Sequence, residues 1–412
     1  MGRGRKCTAQ SRLAPLAVKL PDVTFLIALF LAPLAFLTFC FAVELFVGMK
    51  PLRQEGPPDR SASAVIVVPA HNEAAILESR LSALATAASG RARILLVADN
   101  CTDSTAEIAR RLGVAVVERF DDQRRGKGFA LDFARQSLET NPPEIVLIVD
   151  ADCAMDGESI SRLVARCAAG NRPCQAMNLQ VPARDASPAV QLSTFAFYVK
   201  NVVRQRALQR IAGRVHLLGT GMALPWPLFA SAGLATDDIV EDLKMGLELA
   251  EAGHGPLFTE DAAVWSGAET EMNTLAQRQR WEGGFLQNAL RTGPKMLLRS
   301  VGRGDACGTW AAIDVLIPPF ALLLALDLAG SMSAAVVIWL TNAAQWPLLV
   351  LGSAIALAIG GLVLTWIKGG SRFVSLSGLA RAPLYLVWKV PLYLGLIRRG
   401  APKEWVRTNR QD

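Results

Sequence analysis

Two long regions of the chain are free of charged side chains. No Asp, Glu, Lys or Arg occurs between residues 23 and 43, or between residues 328 and 367. A helix needs about 20 apolar residues to cross the hydrocarbon core of a bilayer. The second region is therefore long enough for two crossings joined by a turn near residues 341–346. The predicted transmembrane helices are residues 23–47, 313–340 and 347–367.

Between the two charge-free regions, short runs of β-branched and apolar residues alternate with amphipathic stretches. The predicted strands lie at residues 65–68, 94–98, 114–117 and 145–149. The helices predicted between them lie at residues 74–88, 104–112 and 128–138. Buried apolar strands separated by helices are typical of a parallel, doubly wound α/β sheet. Ligands of such sheets bind at the carboxyl ends of the strands.

The remaining segments complete the predicted domain organisation. Residues 373–397 are apolar but contain Arg381 and Lys389, which favours a helix lying in or re-entering the interface over a further crossing. The predicted order is a basic N-terminal segment (1–22), a transmembrane helix (23–47), a linker (48–63), an α/β domain (64–268), interfacial helices (269–312), two transmembrane helices (313–340 and 347–367), an interfacial or re-entrant helix (373–397) and a basic tail (398–412).

The composition agrees with a chain that is partly in lipid. Charged residues make up 19% of the 412 positions, against roughly 25% in soluble proteins. The 43 basic and 36 acidic residues give a net charge of +7, and much of the excess lies at the two termini. Basic termini beside apolar segments favour contacts with anionic lipid over nucleic acid.

Cysteine usage argues against two other classes of protein. The seven cysteines form neither a CxxC pair nor a cluster with the three histidines. A structural zinc site and a secreted disulfide scaffold are therefore improbable, and reduced thiols in the cytosol fit best.

The positive-inside rule gives an orientation for the predicted hairpin. Its turn contains no Lys or Arg, whereas Lys368 and Arg372 follow the second crossing. The rule therefore predicts the turn outside and the α/β domain in the cytoplasm. A single N-terminal crossing would then export the basic residues 1–22, against the same rule, so the orientation of the N-terminus stays open.

Polar residues follow three of the predicted strands. The first strand runs into Pro69, Ala70 and then Glu73, the second ends at Asp99, and the fourth ends at Asp150-Ala151-Asp152. In Asp-x-Asp both carboxylates can point to the same side, and hard oxygen ligands suit Mg²⁺ or Mn²⁺. The alternative is that these acids end a strand and cap the helix that follows.

Two charged segments have a structural as well as a chemical interpretation. Residues 124–128 (RRGKG) place Lys127 just before a helix, either in a phosphate-facing loop or in a solvated one. The segment 236–242, which contains four acidic residues, is predicted to open a helix. The favourable interaction of acids with the helix dipole accounts for Asp237 and Asp238. It accounts less well for Glu241 and Asp242, which we expect one turn further in.

The sequence Gln277-Arg278-Gln279-Arg280-Trp281 has the spacing of one helix face. Positions 277, 280 and 281 share that face, so an amide, a guanidinium and an indole are presented together. A guanidinium binds phosphate with two hydrogen bonds, and an aromatic ring can stack on a sugar. The alternative is an interfacial helix with a snorkelling Arg and an anchoring Trp, which leaves the Gln unexplained.

Taken in order, the motifs VVPAHNE, VADN, RGKG, DAD, GTG, ED and QxxRW resemble those of the inverting, membrane-bound family 2 glycosyltransferases. This family includes cellulose, hyaluronan and poly-N-acetylglucosamine synthases and ceramide glucosyltransferase. The resemblance implies an α/β, doubly wound GT-A-like nucleotide-sugar domain with flanking transmembrane and interfacial helices.

The resemblance also implies roles for individual residues. The nucleotide would contact Pro69, Ala70, Glu73, Asp99 and Lys127. Asp150 and Asp152 would hold the diphosphate through Mg²⁺ or Mn²⁺. The acceptor would lie against Gly219, Thr220, Gln277 and Trp281. The catalytic groups would be Glu241, Asp242 and Arg280, with Asp242 as the general base.

The activity implied by the resemblance is that of an inverting, metal-dependent hexosyltransferase. It would move a sugar from a UDP-sugar to a membrane-associated acceptor, a lipid-linked glycan or a growing polysaccharide, in cell-surface, exopolysaccharide or glycolipid biosynthesis. The expected location is the inner membrane, with a cytoplasmic catalytic domain, and other polysaccharide assembly subunits are candidate partners. The open alternatives are a sugar-nucleotidyltransferase-like enzyme and a catalytically silent membrane subunit of an assembly complex.

Three departures from the family pattern bear on that activity. Val240 stands where the family has the Thr of Thr-Glu-Asp, and Pro225-Trp226 stands where polymer synthases often have a basic pair. The predicted crossings are also too few for one chain to form a polysaccharide pore. Val240 leaves the proposed base in place, whereas the other two departures argue against processive synthesis with export.

Overall fold

A computed structural model of the chain describes residues 22–53, 62–268 and 271–399. The predicted basic N-terminal segment (apart from Asp22), the middle of the linker and the basic tail (apart from Arg398 and Arg399) lie outside the described residues.

Eight strands in the described part of the chain form one mixed sheet with the spatial order β3-β2-β1-β4-β7-β6-β8-β5. They are β1 (Ala64–Ala70), β2 (Arg93–Asp99), β3 (Ala115–Arg119), β4 (Ile145–Ile148), β5 (Ala154–Met155), β6 (Cys174–Val181), β7 (Met222–Pro225) and β8 (Leu257–Gly267).

The predicted α/β fold is confirmed, but the second half of the sheet is mixed, with β6 parallel to β8 and the other pairs antiparallel. Strands β1 to β4 are parallel, whereas β7 runs antiparallel to both β4 and β6, and β5 runs antiparallel to β8. The sequence pattern could not predict this change because a buried apolar strand has the same composition in either direction.

The helices in the described residues surround the sheet and continue beyond it. They are α1 (Val23–Gly48), α2 (Ala74–Ala88), α3 (Thr105–Arg111), α4 (Lys127–Leu138), α5 (Gly157–Gly170), α6 (Pro188–Tyr198), α7 (Arg204–Ala212), α8 (Trp226–Ser231), α9 (Glu241–Glu251), α10 (Glu271–Gly302), α11 (Ala306–Leu316), α12 (Phe320–Thr341), α13 (Trp346–Lys368), α14 (Leu376–Leu379) and α15 (Ala382–Arg399). A π-helical turn, Val199–Val203, joins α6 to α7.

Two helix boundaries differ from the prediction for local reasons. The crossing expected to begin at residue 313 begins at Phe320, because Pro318-Pro319 interrupts the helix and leaves Ile313 in α11. Residues 236–240 precede α9, so Glu241 and Asp242 lie in its first turn and not one turn further in.

The first half of the sheet has a hydrophobic core on each face. Side chains such as Ile66 pack against α2 and α5 on one face, and side chains such as Val67 pack against α4, α8 and α9 on the other. Successive residues of a strand point to opposite faces, so these apolar strands are buried on both sides. This arrangement leaves the carboxyl ends of β1, β2 and β4 as the accessible edge.

Three helices in the described residues, α1, α12 and α13, are long and apolar enough to cross a membrane. They pack together: Leu45 of α1 lies beside Gly361 of α13, and the Thr38 hydroxyl donates to Asp327 of α12 at 2.8 Å. The three helices are compatible with membrane association.

The segment predicted to be one interfacial helix, residues 373–397, is divided between α14 and α15. Lys389 of α15 forms an ion pair with Glu282 of α10, and the Tyr393 hydroxyl donates to the same carboxylate at 3.0 Å. The side chains of Lys389 and Tyr393 are therefore turned towards the protein rather than towards lipid.

Candidate active site

One cavity of about 1170 Å³ opens at the carboxyl ends of β1, β2 and β4 and continues between α12, α13 and α15. Every residue predicted for the site lines it, although these residues come from widely separated parts of the chain. They are Pro69, Ala70, Glu73, Asp99, Lys127, Asp150, Asp152, Gly219, Thr220, Glu241, Asp242, Gln277, Arg280 and Trp281.

Lys127, the first residue of α4, is the centre of the polar part of the cavity. Its Nζ donates to Asp150 Oδ1 at 2.5 Å and to the Gly219 carbonyl oxygen at 2.6 Å, and it lies 3.9 Å from Glu241 Oε1. Asp242 lies close to the same group: a Cβ added at Gly219 would be 3.2 Å from Asp242 Oδ2 and 3.6 Å from Lys127 Nζ. One ammonium group thus faces three carboxylates, and we call these four side chains the catalytic cluster.

The carboxylates of the catalytic cluster are harder to ionise than usual. Burial and the neighbouring Asp242 raise the pKa of Glu241 from its ordinary value of 4.5 to about 8, against the opposing effect of Lys127. Burial also raises the pKa of Asp150 and of Asp242, again opposed by Lys127. Carboxylates at close range raise one another's pKa. With three carboxylates and one ammonium group, the cluster lacks positive charge.

Asp150 and Asp152 provide ligands for a cation that would supply this charge. Their carboxylate oxygens and the Cys153 sulfur lie within 4.8 Å of one another. Burial raises the pKa of the Cys153 thiol, so it stays protonated and is a poor ligand. One oxygen of Asp150 is already paired with Lys127. The donor set fits a hard divalent cation held by carboxylates, such as Mg²⁺ or Mn²⁺.

A tight turn at residues 219–221 holds the fourth strand end in place. Gly219 and Gly221 have φ values of 85° and 64°, which favour glycine, and a Cβ at Gly221 would lie 2.7 Å from Val264. The Thr220 hydroxyl accepts from the Asp150 N–H at 3.1 Å. Gly219 and Thr220, expected on the acceptor side, therefore contact the catalytic cluster itself.

Two residues that the sequence analysis did not select support this turn from β6. Gln175 donates from Nε2 to the Thr220 carbonyl at 2.9 Å and accepts from the Leu218 N–H at 2.8 Å. Asn178 donates to the Leu218 carbonyl at 3.2 Å. Amide side chains in an otherwise apolar, buried strand were the signal that could have found them.

A third missed residue, Arg119, lies beside Asp99 at the carboxyl end of β2. Asp99 is buried, and its Oδ1 accepts from Arg119 at 2.7 Å and from Asn100 at 3.1 Å. Burial raises the pKa of Asp99, although Arg119 acts in the opposite direction. Arg119 lies on β3, and its position beside Asp99 follows from the parallel pairing of β2 with β3.

The face of α10 that carries Gln277, Arg280 and Trp281 borders the cavity as the helix spacing predicts. Between them, Arg278 is buried, donates to the Ser193 hydroxyl at 2.8 Å, and lies 5.4 Å from the centre of the Trp281 ring. Trp281 also packs on Phe197 at 5.9 Å. The indole is therefore fixed at the boundary between the polar and apolar parts of the cavity.

Known proteins were compared with this chain by sequence and by structure. Residues 62–284 match the family described as "Glycosyltransferase like family 2". None of the curated proteins matches the sequence.

Many solved structures are similar, including the following two. The mannosyltransferase PcManGT from Pyrobaculum calidifontis, in complex with GDP-Man and Mn²⁺, is 18% identical over 89% of this chain and 100% of that chain, with a TM-score of 0.56. Glucosyl-3-phosphoglycerate synthase from Mycobacterium tuberculosis, in complex with Mn²⁺, UDP and phosphoglyceric acid, is 19% identical over 55% of this chain and 78% of that chain, with a TM-score of 0.38. The first similarity shows a shared fold.

Proposed function

Because the chain belongs to the glycosyltransferase-like family 2, we propose that it transfers a sugar from a UDP-sugar to a membrane-held acceptor with inversion at the anomeric carbon. The observation that carries this proposal is the convergence of Lys127, Asp150, Glu241 and Asp242 on one cavity at the carboxyl ends of the strands. Ligands of α/β sheets bind at this edge.

The donor would lie across the strand ends. Asp99 is at the end of the cavity where a base would bind, and a carboxylate there can accept the N3–H of uracil. The N1–H of guanine offers similar chemistry, and the similar PcManGT was solved with GDP-Man. GDP is therefore the necessary comparison in any binding test.

The diphosphate would bind through a cation held by Asp152 and Asp150, as the donor set described above allows. When bound, Mg²⁺ or Mn²⁺ neutralises the negative charge that develops on a leaving diphosphate. Arg280 borders the same space, and its guanidinium would donate two parallel hydrogen bonds to phosphate oxygens.

Asp242 would remove the proton from the accepting hydroxyl. Its raised pKa makes it a stronger base than an exposed Asp, and a base acts best when its pKa approaches the working pH. Because a single base acts and no enzyme nucleophile is required, the hydroxyl attacks the anomeric carbon directly and inverts it. Glu241, with a pKa of about 8, would be protonated at neutral pH and would donate a hydrogen bond within the cluster.

A membrane-held acceptor is supported by the arrangement of α1, α12 and α13. The cytoplasmic end proposed for this bundle carries Lys368 and Arg372, as the positive-inside rule expects. Glu44 near the end of α1 and Phe320 at the start of α12 both lie beside the catalytic domain. The acceptor would therefore enter the cavity from the membrane surface.

The proposal is tested with membranes that contain the full-length chain and a panel of labelled UDP-sugars, with GDP-mannose in parallel. Mass spectrometry of the lipid fraction should find one glycosylated lipid whose formation requires Mg²⁺ or Mn²⁺. Pyrophosphate release from a nucleoside triphosphate would instead indicate a nucleotidyltransferase, and the absence of any nucleotide release would indicate a catalytically silent subunit.

A further inference from the structure

The cavity has a second part whose chemistry differs from that of the catalytic cluster. We call it the apolar slot and define it by Phe320, Leu324, Ile359, Leu362, Val363 and Leu386. Ile359 is nine positions from the end of α13 at Lys368, which is about 13 Å at a rise of 1.5 Å per residue. The slot therefore extends well into the proposed hydrocarbon region while remaining continuous with the site.

The polarity of the side chains that line the slot favours one kind of acceptor over another. Among the described side chains that α12, α13 and α15 contribute to the cavity, only Tyr385 and Lys389 carry polar groups, and Lys389 is paired with Glu282. A sugar chain carries hydroxyl groups on most carbons, and burying them without hydrogen bonds is costly. A hydrocarbon chain has no such requirement, so the slot suits a lipid rather than a growing polysaccharide.

Lys200 lines the same cavity as the apolar slot and lies near enough to the catalytic cluster for Asp242 to act on its charge. It follows Leu192 and Ala196 at intervals of four along α6 and the π-helical turn, and all three line the cavity. The side chains of Ala196 and Lys200 are exposed, and their exposed surface faces this cavity. Insertion of the π-helical turn changes the direction of a side chain relative to a regular helix.

The positive charge of Lys200 has no close partner in the described part of the chain. Its ammonium lies 5.1 Å from the centre of the Phe285 ring, and neither an ion pair nor a hydrogen bond holds it there. The other charged groups that act on it are Asp242, Arg278, Arg204 and Glu282.

Only two of these neighbours are anions. Glu282 binds Lys389, and the charge of Asp242 is shared with Lys127. The other two, Arg204 and Arg278, are cations that oppose the charge of Lys200. A cation inside a protein is normally matched by an anion. An anionic group on the ligand would supply that match for Lys200.

We propose that the acceptor is an anionic lipid with phosphate in its headgroup: its hydrocarbon chain fills the apolar slot, its phosphate contacts Lys200, and its accepting hydroxyl reaches Asp242. This inference rests on the proposed function for the role of Asp242. The binding of the lipid, in contrast, rests only on the slot and on Lys200.

Photolabelling tests lipid binding without requiring turnover. The probe is dodecyl phosphate with a diazirine at the end of its chain, added to the full-length protein in phosphatidylcholine nanodiscs. Peptide mass spectrometry should find the label on residues of α12, α13 and α15 that line the slot. Lys200→Gln should reduce this labelling at least tenfold, and Lys200→Arg should retain most of it because the charge is kept.

Matched variants separate the proposed site from nonspecific effects. Lys368→Gln removes a membrane-boundary lysine outside the cavity and should leave labelling unchanged. Ala196→Trp should fill the cavity beside Lys200 and reduce labelling at least tenfold, whereas Ala335→Trp, on the exposed surface of α12, should not. A diazirine analogue of dodecyl maltoside should label at least tenfold less, and inorganic phosphate at the same concentration should not compete.

The inference is overturned if slot labelling is the same in Lys200→Gln and in the unaltered protein, or if the neutral maltoside probe labels the slot as well as the phosphate does. UDP binding in Mn²⁺ is measured on the same samples. Slot labelling without UDP binding would reject the proposed function and keep the lipid site, and the reverse result would reject only the lipid site.

Discussion

Two groups of charged residues contrast with each other: one is half-buried at the cavity, and the other is buried where α1 meets α7 and α11. The catalytic cluster consists of Lys127, Asp150, Glu241 and Asp242. A second group, which we call the junction cluster, consists of Glu44, Arg204, His216 and Asp314. Both place carboxylates inside the protein, but they balance the charge differently.

In the junction cluster, the carboxylates are paired with cations or hydrogen-bond donors at short range. Arg204 donates to Glu44 at 2.6 Å and to Asp314 at 2.7 Å, and the His216 ring nitrogen lies 2.6 Å from Asp314. Although burial alone would raise the pKa of Asp314, Arg204 and His216 hold it well below its ordinary range. The cluster joins α1, α7 and α11, so it has the properties of a structural tie.

In the catalytic cluster, by contrast, one ammonium group faces three carboxylates, and the pKa values of those carboxylates are raised. Shifts of this kind, caused by burial and like charge, are typical of functional sites. The two clusters differ in their contacts: both carboxylates of the junction cluster bind Arg204 directly, whereas three carboxylates share Lys127 in the catalytic cluster. We propose that a bound divalent cation completes the charge of the catalytic cluster.

Breaking the catalytic cluster at its proposed base should have the largest effect. Asp242→Asn keeps the shape of the side chain but removes proton acceptance, which contributes about 10²- to 10⁴-fold to rate. Turnover should fall by that factor, while UDP binding in Mn²⁺ stays within about threefold. Glu248→Gln, on the exposed face of the same helix, is the control and should retain full turnover. Unchanged turnover in Asp242→Asn would remove the proposed base.

Breaking the junction cluster should instead reduce stability. Arg204→Met leaves the Glu44 and Asp314 carboxylates buried without their cation, which costs about 3–5 kcal/mol of unfolding free energy. Arg299→Met breaks an exposed pair with Glu251 and should cost less than about 1 kcal/mol. Denaturant titration in detergent measures the unfolding free energy of both variants. If both variants lost less than about 1 kcal/mol of unfolding free energy, the junction cluster would not hold α1, α7 and α11 together.

In the catalytic cluster, removing a charged group should raise the unfolding free energy rather than lower it. The pKa of Glu241 is about 8 in the folded chain against an ordinary 4.5, so between these pH values the folded state binds more protons than the unfolded state. Stability should therefore fall as pH rises from 4.5 to 8.

Glu241→Gln should remove this loss. The variant should be as stable as the unaltered chain near pH 4.5 and more stable above pH 8, by about 1.4 kcal/mol for each pKa unit of the shift. Unfolding in EDTA, followed across this pH range, provides the comparison, and Glu248→Gln should show no such trend. A variant that gains no stability between pH 4.5 and 8 would contradict the strain ascribed to Glu241.

The sequence predicted what depends on local pattern. Strands β1, β2 and β4 follow from their apolar composition, and the rule that ligands bind at their carboxyl ends selected Asp99, Asp150 and Asp152. The α10 face follows from helix spacing. These are relations among residues close together in the chain, and elementary periodicity describes them well.

The sequence did not predict what depends on distant pairing. His216 and Asp314 are 98 positions apart, and nothing local to either residue identifies the other as its partner. Lys200 was not selected from the sequence, because its position at the cavity follows from the packing of α6 against α10, α14 and α15. Strand direction beyond β4 was also undetermined, since composition does not record it.

The central claim is that a divalent cation completes the catalytic cluster and bridges it to a nucleotide diphosphate. The direct measurement is calorimetric titration of UDP, with GDP in parallel, into the purified full-length protein with Mn²⁺ or with EDTA. We predict that UDP binds in Mn²⁺, that EDTA abolishes binding, and that the double variant Asp150→Asn/Asp152→Asn fails to bind under either condition. If UDP bound equally well in EDTA and to the double variant, or if neither nucleotide bound in Mn²⁺, the claim would be wrong.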